Sequence, residues 1–225
     1  MEAEHRAAEP AATVVPIRDG EHGLEVLMLR RNAKGTFAGM WVFPGGRVDP
    51  ADHDASGDDA GAARRAATRE ALEEADLVFD PADLLPYSHW TPPEGPGRRF
   101  PTWFFLAAVR EAVEITVDGR EIHEHAWVSP TEAIRRRDAG EVQLAPPTWM
   151  TLNELGRMAG VDEALSTVAS REPERFATHI STDGDLMVAM WRGDAAYDTG
   201  VLDAPGGRRR LIMDPAGWRL EERSR

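Results

Sequence analysis

An α/β chain is what the sequence predicts, and three observations carry that reading. Apolar runs of strand length, A-T-V-V-P-I-R and L-E-V-L-M-L-R first among them, recur along the chain with turn residues between them. Helical segments interleave with these runs, notably an alanine-rich stretch over residues 60–75 and one opened by Ser129-Pro130-Thr131-Glu132. At 225 residues, 42% hydrophobic and 29% charged, the chain has the length and composition of one full globular domain with an appendage.

Taken in order, residues 1–11 are polar and alanine-rich without a pattern, and read as a disordered tail. The first two apolar runs, joined by D-G-E-H-G, make an opening hairpin in which Pro16 must lie where no ladder hydrogen bond is needed. Residues 32–40 form a loop that leads through a short W-V-F strand into Pro44-Gly45-Gly46. Residues 49–61 hold five aspartates and two glycines and read as a hydrophilic surface insertion, with Asp58 or Asp59 as the N-cap of the next helix. Strands over 85–90 and 99–109 flank T-P-P-E-G-P-G-R, a rigid loop too polar for the core. Residues 114–117 and 123–128 read as a strand pair turning at Asp118-Gly119. Ser129, Pro130 and Glu132 then predict a capping box and a helix that stops at Gly140. A helical region from Pro146 to about residue 170 precedes four short strands, F-A-T-H-I, L-M-V-A-M-W, R-R-L-I-M and W-R-L.

The helix over 60–75 holds the chemistry. At about 100° per residue, Glu70, Glu73 and Glu74 fall within about 100° of arc. Like charges at such spacings repel by a few tenths of a kcal/mol per pair, and a divalent cation reverses the sign of that interaction. Hard oxygen ligands suit Mg²⁺ or Mn²⁺. A solvated acidic face is the bland alternative, and the Gly-Gly loop ahead of the helix weighs against it. Alanine at 63, 66, 67 and 71 lets the helix approach a sheet closely. The formal net charge of −13 argues against nucleic acid as a bulk partner and requires that an anionic ligand meet local cations or metal. No apolar run has the length of a membrane span, the first residues are no signal peptide, and there is no cysteine; the expectation is a cytoplasmic protein without membrane association.

Phe43-Pro44-Gly45-Gly46 followed by Arg69-Glu70-x-x-Glu73-Glu74 resembles the signature of the Nudix hydrolases, a loop-helix-loop that positions metals on a diphosphate. Three departures stand out: Gly61 replaces a family glutamate that partners the arginine, the loop is about nine residues longer, and Asp76 replaces the closing glycine. Arg31-x-x-x-Gly35-x-x-x-Gly39-x-x-x-Phe43 is similar to the latter part of the motif of the coenzyme A diphosphatase branch. The resemblance implies a Nudix α/β/α sandwich over 12–145 with a central mixed sheet, and a C-terminal helix-plus-strand extension over 146–225 packed on it. It implies Mg²⁺ or Mn²⁺ held by Glu73, Glu74 and the Gly46 carbonyl, with Glu70 as ligand or as base for the attacking water. Glu121 or Glu124 would add a further carboxylate, and Arg31, Arg98 and Arg99 are the candidates for substrate phosphate. Arg69 would brace the helix rather than touch substrate. The implied substrate is a nucleotide, coenzyme A or an acyl derivative first and ADP-ribose or NADH second. A non-catalytic nucleotide-binding module is the rival, and a homodimer is common in such folds. Trp90 and Trp103 are candidates for stacking on a base, while His89, His123 and His125 lack metal-ligand spacing.

Overall fold

The computed structural model describes residues 8–33, 37–55, 57–95 and 97–224. The opening hairpin is present as β1 (Ala11–Gly20) and β2 (Gly23–Arg31), paired antiparallel from Ile17↔Val26 to Gly20↔Gly23. Both strands are almost wholly apolar because both faces of the sheet are covered. Ala12 and Val14 face one core, Val15 and Ile17 the other. The tail reading ends too late, since Ala11 already pairs in β1 and the Glu9 N–H donates to the Arg99 carbonyl. Residues 1–7 lie outside the described residues.

Beyond the hairpin the two strands part, and the Gly-Gly segment fills the gap. β3 (Trp41–Val42) pairs with Leu29 and Arg30 of β2, while β4 (Gly45–Arg47) pairs with Ala11 to Thr13 of β1. The far edges are taken. β6 (Thr102–Ala108) runs parallel to β1, and β7 (Ile122–Val128) runs antiparallel to β2. Val14 donates its N–H to the Pro44 carbonyl, so the nitrogen of Pro16, two residues on, points into the unpaired gap before the hairpin closes at Ile17. The sheet is completed by β5 (Leu85–Thr91), antiparallel to β6, and by β8 (Glu174–Ala177), parallel to β5. It is an eight-stranded mixed sheet.

Helix α1 (Asp59–Ala75) covers one face, with Ala63, Ala66, Ala67, Ala71 and Ala75 packed on Ala12, Val14, Leu27, Leu29 and Phe105. On the other face, α2 (Pro130–Asp138), α3 (Pro146–Leu155) and α4 (Val161–Ala169) bury Ala133, Trp149, Leu152, Leu155, Val161 and Val168 against Val15, Ile17 and Met28. The implied three-layer sandwich is therefore the observed one. The remaining strands, β9 (His179–Asp183), β10 (Leu186–Met190), β11 (Arg208–Asp214) and β12 (Gly217–Arg223), form a second, antiparallel sheet. Its Ala189 and Leu211 join the α3 core, and Val188, Met190 and Ile212 form a small core with Ala196 and Tyr197.

Several expectations are corrected. F-A-T-H-I is two strands in two sheets, with Thr178 as the crossing point. Residues 114–117 form no strand; Asp118 instead accepts from the N–H groups of Arg120, Glu121 and Ile122 and turns the chain into β7. The helical region from Pro146 breaks between Leu155 and Val161. Ser129 caps α2 by accepting from the Glu132 N–H, but the Glu132 carboxylate turns to Arg135 and Arg136 rather than closing a box. Of the two N-cap candidates for α1, Asp58 takes the role and accepts from Ala60 and Gly61.

At the other end of α1, Asp76 is left-handed, with φ 55° and ψ 31°. Its N–H donates to the Leu72 carbonyl, the five-to-one bond of a left-handed cap, and that of Leu77 donates to Ala71, with Leu77 buried beside the helix. The cap survives without glycine at the cost of an unfavourable backbone region and a negative charge at a helix C-terminus. Asp76→Gly is expected to raise stability by about 0.5–1 kcal/mol, read as a higher urea midpoint at unchanged slope.

The second sheet has its own buried ion pair. Arg210 donates Nε to Asp194 at 2.7 Å and Nη2 at 2.6 Å, and Ala196 and Arg209 add backbone N–H donors. Burial opposes charge at Asp194, but these four donors hold its carboxyl down at about 2. A carboxyl below its ordinary 3.8 contributes stability that is whole above about pH 4 and is lost as pH falls through about 2. Asp194→Asn should cost about 3–5 kcal/mol at pH 7 by leaving Arg210 buried without a counter-charge, and should flatten the loss of denaturant midpoint between pH 4 and pH 2.

Candidate active site

The wedge between β1 and β2 brings the Gly-Gly loop under the last two turns of α1. Gly45 donates its N–H to Glu74 Oε2 at 3.0 Å. A side chain on Gly45 would meet the Ala12 carbonyl at 2.6 Å, and one on Gly46 would overlap the Glu70 carboxylate. Both positions need glycine for close approach rather than for an unusual backbone angle. Glu74 is buried, Glu70 half-buried and Glu73 exposed, so the three carboxylates grade from the sheet outward along the arc set by the helical period.

Two arginines hold these acids. Arg31, at the end of β2, reaches Glu74 Oε1 at 3.5 Å and Glu121 Oε2 at 2.5 Å. Arg69 places all five of its N–H groups. Nε goes to Asp52 Oδ1 at 3.2 Å, and Nη2 goes to Asp52 Oδ2 at 2.9 Å and the Arg47 carbonyl at 3.0 Å. Nη1 goes to Glu70 at 2.8 Å and to Glu73 at 3.4 Å. No donor of Arg69 is left for a substrate.

Electrostatics follow burial. Loss of solvent pushes the Glu74 carboxyl up to about 8; Glu70 and Glu121 add repulsion, and the Gly45 N–H and Arg31 oppose it. Burial also raises Glu70, against Arg69, with Glu73 and Glu121 repelling it. Among the described residues, no three His, Asp or Glu side chains converge as a finished metal cage. The donor set is nonetheless all carboxylate and carbonyl oxygen, with two acids destabilised by desolvation and by one another, and a hard dication answers both costs. Glu70, Glu73, Glu74, the Gly46 carbonyl and Glu121 are the residues that would hold it.

The structure separates the remaining candidates. Arg30 and Arg31 project to opposite faces of β2, as pleating requires. Arg31 joins α1, whereas Arg30 pairs with Glu124 at 3.1 Å. Glu121 is thus beside Glu74, and Glu124 is engaged elsewhere. Arg98 pairs at 3.5 Å with Glu9, which also pairs with Arg47 at 3.3 Å, so Arg98 lies two ion pairs from the loop. Arg99 contributes its carbonyl to the Glu9 N–H. Trp90 is not available to a base: it is buried, stacked on Phe176 with ring centroids 3.9 Å apart. Trp103 is half-buried between Phe105 and an edge-on His89, and His123 and His125 are exposed. Gly35 lies outside the described residues. Asp52 is the residue that the sequence reading missed, taken there as one of five solvated aspartates, although it stands six positions after Gly46, where the Nudix signature carries its glutamate.

Gly46→Ala is expected to push the Glu70 carboxylate aside and weaken Mn²⁺ binding by about tenfold, measured by titration of the free-ion resonance, with far-ultraviolet circular dichroism unchanged.

Comparison with known proteins agrees with this geometry. A family model described as the NUDIX domain matches residues 8–148, well over half of the chain. The human Acyl-coenzyme A diphosphatase NUDT19 is 31% identical over 116 residues, a match spanning 49% of this chain but only 31% of that protein. The Putative nudix hydrolase 7 of Caenorhabditis elegans is 29% identical over 231 residues, with 84% of this chain and 77% of that protein covered. A NUDIX hydrolase from Alicyclobacillus acidocaldarius superposes with a TM-score of 0.63 over 73% of this chain and 98% of its own, at 24% identity, a likeness of fold. The NUDIX domain of Shewanella oneidensis NrtR, solved with ADP ribose, does so with a TM-score of 0.52 at 15% identity, over 70% of this chain and 91% of its own. Matched across more than half its length, and carrying the loop and helix in the expected contact, the chain belongs to the Nudix family.

Proposed function

We propose that the protein is a divalent-cation-dependent hydrolase of a nucleoside diphosphate linked to a second moiety, with coenzyme A or an acyl-coenzyme A as substrate. The observation that carries this reading is the packing of Glu70 and Glu74 against Gly45 and Gly46 in a chain of the Nudix family. The choice of coenzyme A is supported by the likeness to acyl-coenzyme A diphosphatases and by the Arg31-to-Phe43 spacing.

In the proposed reaction, water attacks one phosphorus and the bridging P–O bond breaks, giving phosphopantetheine and an adenosine bisphosphate. Mg²⁺ or Mn²⁺ supplies charge neutralisation on the phosphate oxygens. Glu73, Glu74, Glu121 and the Gly46 carbonyl would hold the cation, and Glu70 would be a further ligand or take the proton of the attacking water. Arg31 meets the diphosphate, providing the local positive charge that a chain of net charge −13 needs to receive an anion. Arg98 and Arg99 serve an outlying phosphate of the nucleotide. The presence of all three repelling glutamates supports catalysis over a module that only binds nucleotide, the reading that Gly61 and Asp76 favour.

A panel of coenzyme A, acetyl-coenzyme A, ADP-ribose, NADH and 8-oxo-dGTP, each with Mg²⁺ and with Mn²⁺, tests the reading. Coenzyme A or its acyl form is expected to give the highest kcat/KM. Glu74→Gln is expected to lower kcat about 10²-fold or more, the scale of a few kcal/mol of lost charge stabilisation. Turnover of ADP-ribose or NADH alone would reassign the substrate; no turnover of any would favour a nucleotide-binding module.

A further inference from the structure

We infer that the junction between the main sheet and the C-terminal segments holds a second ligand site, built for a small organic monocarboxylate rather than for a nucleotide. A cavity of about 160 Å³ lies among β5, β8, α3 and β12. Most of its wall comes from residues 150–222, beyond the residues 8–148 that the family model matches. Junctions of this kind are where small-molecule sites recur. Its size excludes the proposed substrate. Sites for drug-sized ligands begin at about 300 Å³, whereas a cavity of about 150 Å³ takes a single benzene ring.

The acids in the wall already have partners. Glu154 accepts from the Tyr87 hydroxyl on one oxygen and pairs with Arg171 Nη1 at 2.6 Å on the other. Glu174 and Glu222 share Arg209, at 2.9 and 3.7 Å. What remains in the wall is a set of donors. Arg157 and Asn153 have no side-chain partner among the described residues, and the buried Arg171 Nε has none either. Ser88 Oγ accepts from Trp90 Nε1 at 3.0 Å, which leaves its own proton for a further acceptor. Donors without acceptors, one of them a full positive charge, call for an anion. The apolar part of the wall is Trp90 stacked on Phe176, centroids 3.9 Å apart, with Met150 and Leu220. A carboxylate carried on a ring answers both parts, its oxygens meeting the donors and its body the aromatic residues. Water would fill the same space with about five molecules. The two occupants differ in their dependence on charge and on shape.

The test is a calorimetric titration of the full chain with benzoate, with its neutral counterpart benzamide, and with acetate, which carries the charge without the ring. Benzoate is expected to bind once per chain with a Kd of about 0.1–1 mM, the range open to so small a ligand. Benzamide, lacking the charge, and acetate, lacking the body, should each bind about tenfold more weakly or worse. Arg157→Gln removes an exposed charge and should weaken benzoate about tenfold, with the circular dichroism spectrum unchanged. Asn153→Phe puts a ring into the cavity and should abolish benzoate binding. If Asn153→Phe does not fold, Arg157→Gln decides alone. Benzamide or acetate binding as tightly as benzoate overturns the inference, as does unchanged benzoate affinity in Arg157→Gln. Absence of binding by all three, the result for a cavity that holds water only, overturns it as well.

Discussion

Repulsion among carboxylates on the last turns of α1 is the constraint to which the surrounding structure answers. Glu70 and Glu74 are withdrawn from water beside one another, and burial raises both above ordinary carboxylates. The fold meets that cost with directed donors: the Gly45 N–H and Arg31 at Glu74, and Arg69 at Glu70 and Glu73. Each donor is fixed by a different part of the chain. Arg31 is placed by β2, Gly45 by the wedge between β1 and β2, and Arg69 by the turn at Asp52. Disturbance of any of them reaches the same acids.

Close packing makes this arrangement possible. The alanines on the inner face of α1 let its backbone settle on β1, and the missing side chains of Gly45 and Gly46 let the loop slide beneath its last turns. Larger residues on either surface would lift the carboxylates off the loop and return them to solvent. There they would be an ordinary acidic stripe on a helix, worth a few tenths of a kcal/mol in repulsion and nothing in chemistry.

Much of this was legible from residue pattern because the signals are local. The hairpin follows from two apolar runs around D-G, α1 from its alanines and an aspartate cap, and the loop-to-helix contact from the resemblance carried by Phe43 to Glu74. What was not legible depends on chain separated in sequence. Glu121 and Glu124 have the same chemistry at neighbouring positions, and only strand pairing and an irregular register near Arg31 place one beside Glu74 and the other on Arg30. Asp52 looks like any aspartate of its insertion until Arg69 is brought to it. F-A-T-H-I is a plausible single strand until its first half is claimed by β5 and its second by β10. Local preference cannot separate these cases, since tertiary pairing decides them.

The parallel docking of β8 on β5 has a consequence for how the molecule is made. Glu174 to Ala177 seal an edge of the main sheet more than eighty residues after β5 begins, and the Trp90–Phe176 stack forms only across that seam. The β1–β6 pairing is parallel as well, and joins segments about ninety positions apart. Such long-range parallel pairings form slowly, because the chain between them must be closed before contacts reward it. During synthesis β5 therefore waits with one edge bare until residue 177 has left the ribosome. The acids gathered at α1, all within residues 70–121, are thus made before the strand that seals the sheet supporting them.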